Sequence, residues 1–476
     1  MRKTRTIALT AGTGALAAAL VTAAATAAPA ATAAQAGHTT AAGPQIIIKP
    51  GARQLPQAKT LATPWTTELC ESELDIACYE PDQIQSAYNE APLFKKGITG
   101  KGATIVIVDS FGSPTIKSDL STFDKQFGFP DPPSFKIIAP AGAIPPWDPN
   151  NSDMTGWAGE TTLDVEYAHT IAPGANILLV ETPVAETEGV TGFPQIVQAE
   201  KYVIDHHLGD VISQSFDATE ETFTSYQQLA PLRAAYLDAY AHGVTVLASA
   251  GDDGATNDEL DGETLYTKPV TGWPATDPLV TAVGGTQLKQ NSNGTFSSVV
   301  WNDTYDVPLQ QAFTGTNGPN PFATGGGVSE FFSRPYYQNG VARVTGPARG
   351  IPDISLSGAC DGAVDTYSSY PGGVTGWHLT CGTSESSPLF SGIVALADQV
   401  AHHSLGLVNP TLYLLSALHA PGLVDVTKGN NTVSFTQGAD NTLYTVQGYS
   451  AKPGYDLASG VGTVNAAYFV PELARG

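Results

Sequence analysis

Positive charge is scarce in this chain: 22 Lys and Arg residues stand against 45 Asp and Glu, a formal net charge of −23 over 476 residues. A surface of that sign repels phosphate backbones and anionic lipids, which excludes nucleic acid and anionic membranes as partners. Charge of either sign is sparse, at 14% of residues, while Gly is abundant with 49. The balance describes a soluble acidic protein with a large core. Carboxylates lose their mutual repulsion as they protonate, so the composition is compatible with work in acid. Beyond the N terminus no apolar run is long enough to span a bilayer. No His-Glu-x-x-His helix occurs, and His402 and His403, being adjacent, fall on different sides of a helix, which disfavours metalloprotease chemistry. No internal repeat is visible.

Cysteine is also scarce. Cys70, Cys78, Cys360 and Cys381 are the four present, a number that fits two structural disulfides in an oxidising compartment. Four cysteines allow three connectivities; the sequence-local pairs, Cys70 with Cys78 and Cys360 with Cys381, are expected. Neither pair has the two-residue spacing of a zinc site, and no His stands in register with them.

Residues 1–36 read as an export signal: Arg2, Lys3 and Arg5 lead, an Ala- and Leu-rich stretch follows, and Ala34-Gln35-Ala36 offers a cleavage site. The mature protein is expected to be secreted and extracellular, with no membrane span after removal of the signal. Residues 37–77 read as a linker or short pro-segment, Gly37 to Thr63 being rich in Ala, Gly, Pro and Gln with a single Ile46-Ile47-Ile48 run. Residues 78–476 read as one large α/β domain. Short apolar runs at Ala103 to Val108, Ile177 to Val180, Val211 to Ser213 and Val244 to Ser249 alternate with helical periodicity at Gln195 to His206, Tyr226 to Ala241 and Leu389 to Val400. Such alternation predicts a mostly parallel sheet covered on both faces.

In sheets of this kind chemistry gathers at the carboxyl ends of strands and at the turns into helices. Cys381-Gly382-Thr383-Ser384-Glu385-Ser386-Ser387-Pro388 is such a turn. It presents Ser384 at a helix start, where free backbone N–H groups can hold an oxyanion. The bland alternative is a Gly-Thr-Ser turn that caps the helix. On the helical stretch Gly159 to His169, Glu160 and Asp164 are four apart and share a face. They form either a solvated acidic face or, if buried against Ser384, a pair of carboxyls that share a proton and serve as its base. Asp252, in Ser249-Ala250-Gly251-Asp252-Asp253-Gly254, is either an Asx-turn residue or a group at the site, with Asp253 its neighbour and competitor.

Together these residues resemble the sedolisin, or serine-carboxyl, peptidases. The likeness extends through Cys78-Tyr79-Glu80-Pro81, Gly97 to Gly102, Trp273-Pro274-Ala275, Ala282 to Thr286, Gly325 to Phe332 and Pro352-Asp353-Ile354-Ser355, so it spans roughly Cys78 to the C terminus. It implies a subtilisin-like three-layer α/β/α fold with a mostly parallel central sheet, in a single large catalytic domain. It implies Ser384 as nucleophile, Glu160 as general base and then acid, Asp164 as its orienting partner, and Asp252, protonated, as oxyanion donor. It also implies one structural Ca2+ ion, with Asp425 and Asp456 giving carboxylates and Val426, Lys452 and Gly454 giving carbonyls. Lys452 stands where the family usually has glycine. Residues 37–77 are short where family members commonly carry a long folded prodomain.

The expected activity is hydrolysis of unfolded polypeptide at acidic pH through an acyl-enzyme on Ser384, by a monomer. A subtilisin-like site would instead join Asp109, a His and Ser384, but His169 lies at the wrong end of its helix to meet the serine. Asp109 is left as a strand-end residue. A third reading is a secreted binding protein that keeps the scaffold without cleaving.

Overall fold

In the computed structural model, residues 51–56, 59–438 and 441–476 are described. The export signal at 1–36 and the start of the linker, to residue 50, lie outside the described residues.

Twelve strands frame the site: β1 (Arg53–Gln54), β2 (Cys78–Tyr79), β3 (Thr104–Ser110), β4 (Phe135–Ile138), β5 (Asn176–Thr182), β6 (Val211–Gln214), β7 (Thr245–Ser249), β8 (Thr281–Gln290), β9 (Phe296–Val300), β10 (Ile354–Ser357), β11 (Ala363–Ser368) and β12 (Gly376–Cys381). The helices that matter most are α1 (Ser152–Ile171), α2 (Phe193–Asp205), α3 (Ala234–His242) and α4 (Thr383–Ala401). An eight-stranded sheet runs β9-β8-β7-β6-β3-β5-β4, with β10 paired to β8; its pairs are parallel except β8 with β9. A second, four-stranded sheet runs β1-β12-β11-β2.

Alternation along β3 shows why both faces are covered. Ile105 and Ile107 join one apolar cluster with α1 and α4, while Val106 and Val108 join another with α2 and α3. β-Branched side chains fit this doubly buried, pleated surface. The fold is therefore the three-layer subtilisin-like α/β/α arrangement, and the expected strands appear within one or two residues of their sequence bounds. The helix expected over Tyr226 to Ala241 is interrupted: Tyr226–Leu229 is α-helical, Ala230–Arg233 is a 3-10 turn and α3 starts at Ala234. Pro231 is the physical reason, since it has no N–H for the helical ladder and its ring crowds the preceding turn.

Both disulfides form between sequence-local partners, Cys70–Cys78 and Cys360–Cys381. Among the described residues no helix is long and apolar enough to cross a membrane.

Candidate active site

The carboxyl ends of three neighbouring strands, β3, β6 and β7, point at one place. Asp109 is next to last in β3, Ser215 follows β6, and Asp252 follows β7. Above them cross α1, which carries Glu160 and Asp164, and α4, which starts with Thr383 and Ser384. Asn151 caps α1, its side chain accepting from the N–H groups of Asp153 and Met154. From Trp157 to Ile171 every residue of α1 is buried, so the acidic pair does not form the solvated face that is its ordinary reading. α1 and α4 approach closely at Gly392, where an added Cβ would lie 2.5 Å from the Ile171 side chain and 3.3 Å from the Ala168 carbonyl. A side chain there would push the two helices apart.

The turn into α4 needs Gly382, which has φ +131°, a conformation that side-chain-bearing residues rarely adopt. Pro388, inside the helix, cannot donate to the Ser384 carbonyl four residues back. Ser215 Oγ donates to Asp164 Oδ1 at 2.9 Å and stands 3.4 Å from that carbonyl oxygen, which shares its single proton weakly. One hydroxyl thus ties the base of the serine turn to the acidic helix.

Glu160, Asp164 and Asp109 are at most 1% exposed. Burial drives the proton affinity of Glu160 and Asp164 well above the carboxylate range, with Asp109 the next contributor at Asp164. The Ser384 hydroxyl offsets part of the rise at Glu160, although Ser384 Oγ and Glu160 Oε1 have no well-aligned partner among the described residues. Burial likewise pushes Asp109 up to about 7. Asp109 and Asp164 adjoin each other as carboxyl and carboxylate, so the group is a chain of acids that hold fewer charges than carboxyls.

Asp252 comes in from the other side. Its Oδ1 accepts from the Thr383 N–H at 2.6 Å and the Thr383 hydroxyl at 2.7 Å. Its Oδ2 is buried without a partner, and burial pushes the group up to about 7. Below that pH Oδ2 can carry a proton and donate it. Asp253 does not bond Thr383 but pairs with Arg53 at 2.8 Å.

The N-terminal strand runs through this place. β1 pairs antiparallel with β12, Arg53 opposite Cys381, and the Ala52 N–H donates to Glu160 Oε2 at 2.9 Å. A Cβ on Gly51 would lie 3.0 Å from Ser384 Oγ and 3.7 Å from Asp252 Oδ2. A polypeptide backbone therefore passes directly over the serine.

Sequence reasoning left Asp109 and Ser215 out of the site. Asp109 carried the signal of its position at a strand's carboxyl end; Ser215 had none, being one of many serines until α1 crosses above it. His169 is buried on the far end of α1, its Nε2 2.8 Å from the Pro130 carbonyl, with burial pulling it down to about 4. It does not meet Ser384.

The residues expected to hold calcium also converge. Asp456 Oδ2 accepts from the Lys452 N–H, Asp425 Oδ2 accepts from the Gly454 N–H, and the Val426 carbonyl accepts from the Ser459 hydroxyl. Asp425, Asp456 and the Val426 carbonyl, from two adjoining loops, are oxygen ligands of the kind a hard cation prefers, while Lys452 and Gly454 meet the two carboxyls through their N–H groups.

The family model for the subtilase family matches residues 149–448. Kumamolisin of Bacillus sp. (strain MN-32) is 31% identical over 396 residues, covering 81% of this chain and 62% of that protein. Sedolisin of Pseudomonas sp. (strain 101) is 31% identical over 320 residues, covering 66% of this chain and 49% of that protein. The chain thus spans about half to three-fifths of the length of these relatives. Among solved structures, Pseudomonas sedolisin, a serine-carboxyl proteinase complexed with two molecules of pseudo-iodotyrostatin, superposes with a TM-score of 0.65 at 26% identity, covering 84% of this chain and 99% of that one.

Proposed function

Because the chain belongs to the subtilase family, in its sedolisin or serine-carboxyl branch, we propose that it is a serine-type endopeptidase, secreted and acting in acid through an acyl-enzyme on Ser384. The observation that carries this reading is the burial of Glu160, Asp164 and Asp252 around one serine at a helix start, with a backbone already lying across it.

Ser384 Oγ attacks the carbonyl carbon of the scissile bond as Glu160 takes its proton. Glu160 can accept that proton because it shares one negative charge with Asp164, and Asp109 beside Asp164 helps to spread it. Asp252 donates from Oδ2 to the oxygen that becomes negative, which requires Asp252 to be the neutral acid. The Thr383 donors on Oδ1 fix its rotamer, leaving Oδ2 to point inward. Glu160 then returns the proton to the departing amine, and water repeats the sequence on the ester.

Since Asp252 titrates at about 7, the donor is present below that pH and lost as pH rises through it. Hydrolysis of acid-denatured protein from pH 2 to 8 is expected to peak in acid, fade towards pH 7, and vanish in Ser384→Ala at every pH. A neutral or alkaline optimum in the wild type would sink the reading.

Substrates of this site are unfolded polypeptides, and the protein acts as a monomer. Residues 37–77 act as the linker or short pro-segment; its part at 51–54 covers Ser384, so activity requires that this stretch be displaced or cut. Asp425, Asp456 and the carbonyls of Val426, Lys452 and Gly454 would hold one calcium ion, which when bound ties the two loops together. Dialysis against a chelator is then expected to lower the melting temperature and calcium to restore it; no change on either step would remove the ion from this account.

A further inference from the structure

A cavity of about 460 Å³ opens beside Ser384, between the ends of β6 and β7. Ser215, Phe216 and Asp217 line one wall; Ser249, Gly251 and Asp252 line the other; Gly51, the residue lying over Ser384, stands at its mouth. A scissile carbonyl placed between Ser384 Oγ and the free Oδ2 of Asp252 belongs to a residue that adjoins this space. Asp252 and Thr383 in its lining set the cavity beside the place of the residue on the N-terminal side of the scissile bond.

Its lining is one-sided. Besides Asp252, six acids face it: Glu186 and Glu188 from the loop after β5, Asp217 from the loop after β6, and Asp253, Asp258 and Glu263 from the loop after β7. Arg53 is the single base among the lining residues, and it belongs to the strand that lies in the cleft. Glu186 is fully buried, and neither of its carboxyl oxygens has a well-aligned hydrogen-bond partner among the described residues, its own N–H and the Ser110 hydroxyl offering only partial compensation. Burying two polar oxygens without well-aligned donors costs free energy unless something else supplies the donors. Its neighbours are better provided for: Glu188 Oε2 accepts from the Thr219 N–H at 2.8 Å and the Thr222 hydroxyl at 2.9 Å, and Asp217 Oδ2 accepts from Asn257 at 2.8 Å. Phe216, Leu265 and Pro321 supply apolar lining, against which an aliphatic stem can lie while its charged head reaches the acids.

We propose that this cavity selects a lysine or arginine side chain at the residue N-terminal to the scissile bond, with Glu186 and Asp217 as the residues that determine the preference. The proposal rests on the peptidase reading above and names its substrate class. Glu186 and Asp217 are held near 8 and 7 by burial when no cation is present. A cationic side chain entering among them favours their ionised forms, so its binding releases protons. Selectivity for a cation over a neutral group of the same length therefore rises with pH within the active range.

The test uses the mature enzyme and a set of quenched fluorescent peptides identical except for Lys, Arg, Gln, Leu or Glu at that one position, assayed for kcat/KM at pH 3.5 and 5.5. Lys and Arg are expected to exceed Gln and Leu by at least about tenfold at pH 5.5, with a smaller ratio at pH 3.5, and Glu is expected to be poorest. Glu186→Gln and Asp217→Asn, singly and together, are expected to lower the Lys-to-Gln ratio by about tenfold, while each variant still cleaves the Gln and Leu peptides. Cleavage with Leu or Gln equal to Lys, or a ratio untouched by both substitutions, overturns the proposal and leaves the peptidase reading intact. Failure to cleave any peptide overturns both.

Discussion

Two buried carboxylate centres lie within the same fold and are treated in opposite ways. Asp353, beside β10, is fully buried and paired with the equally buried Arg349; it accepts also from the Tyr413 hydroxyl and the Ala282 N–H, each at 2.8 Å. Glu160, buried as completely, has the Ala52 N–H on one oxygen and no aligned partner on the other, with Asp164 and Asp109 behind it. One carboxyl has a cation built for it and becomes a structural tie; the other has further carboxyls and, in the function proposed above, is where protons change hands. Burial without a cation keeps an acid able to hold its proton, and at Glu160 that condition meets a serine at a helix start.

Removing the carboxyl from each centre sharpens the contrast most. Glu160→Gln is expected to lower kcat/KM by about a thousandfold or more, while leaving the melting temperature at pH 7 unchanged or higher, because a poorly solvated acid is gone. An unfolded Glu160→Gln protein would break the comparison.

Arg349→Met should do the reverse. It strands Asp353 as an unpaired buried charge and is expected to cost about 3–5 kcal/mol of stability by chemical denaturation, with kcat of the fraction still folded nearly unchanged. Adding Asp353→Asn to it is expected to recover part of the loss. A purely catalytic defect in Arg349→Met would show that the two centres are not separate.

The smallest effect is the pH dependence of stability. Glu186 and Asp398 are held near 8, and Asp109, Asp217 and Asp252 near 7, each raised chiefly by burial. A carboxyl whose folded value lies above its unfolded value of about 4 binds more protons when folded, so stability falls as pH rises between the two values. The melting temperature is therefore expected to decline by several degrees from pH 4 to pH 8 in scanning calorimetry. A flat or rising profile over that window would mean that these acids are solvated, and would remove the distinction from the Asp353 centre.

Much of this was legible in sequence, and what was not has a common cause. The doubly buried strands announce themselves as unbroken apolar runs such as Ile105 to Val108, and Ser384 and Glu160 stand out through chemistry at a helix start and along one helix face. Asp109 looked like an ordinary strand end because its partner Asp164 is 55 positions away and reaches it only when α1 crosses β3. The strand at Arg53–Gln54 has no apolar alternation; its pairing comes from β12, more than three hundred residues later. Tyr226 to Ala241 has helical periodicity throughout, and Pro231 decided the backbone against it. The aspartates and glutamates around the Ser384 cavity are scattered over loops after β5, β6 and β7, and only the folded sheet brings them to one wall.

The contact at Gly392 has a mechanical consequence. The serine and the acids that would serve it ride on α1 and α4, locked together at a point where no side chain keeps them apart. That joint, with the Ser215 hydroxyl between Asp164 and the Ser384 carbonyl, fixes how far the serine stands from the acids. Asp252, on the loop after β7, is tied to the same helix start by the Thr383 N–H and hydroxyl, so the third acid is held to the joint as well.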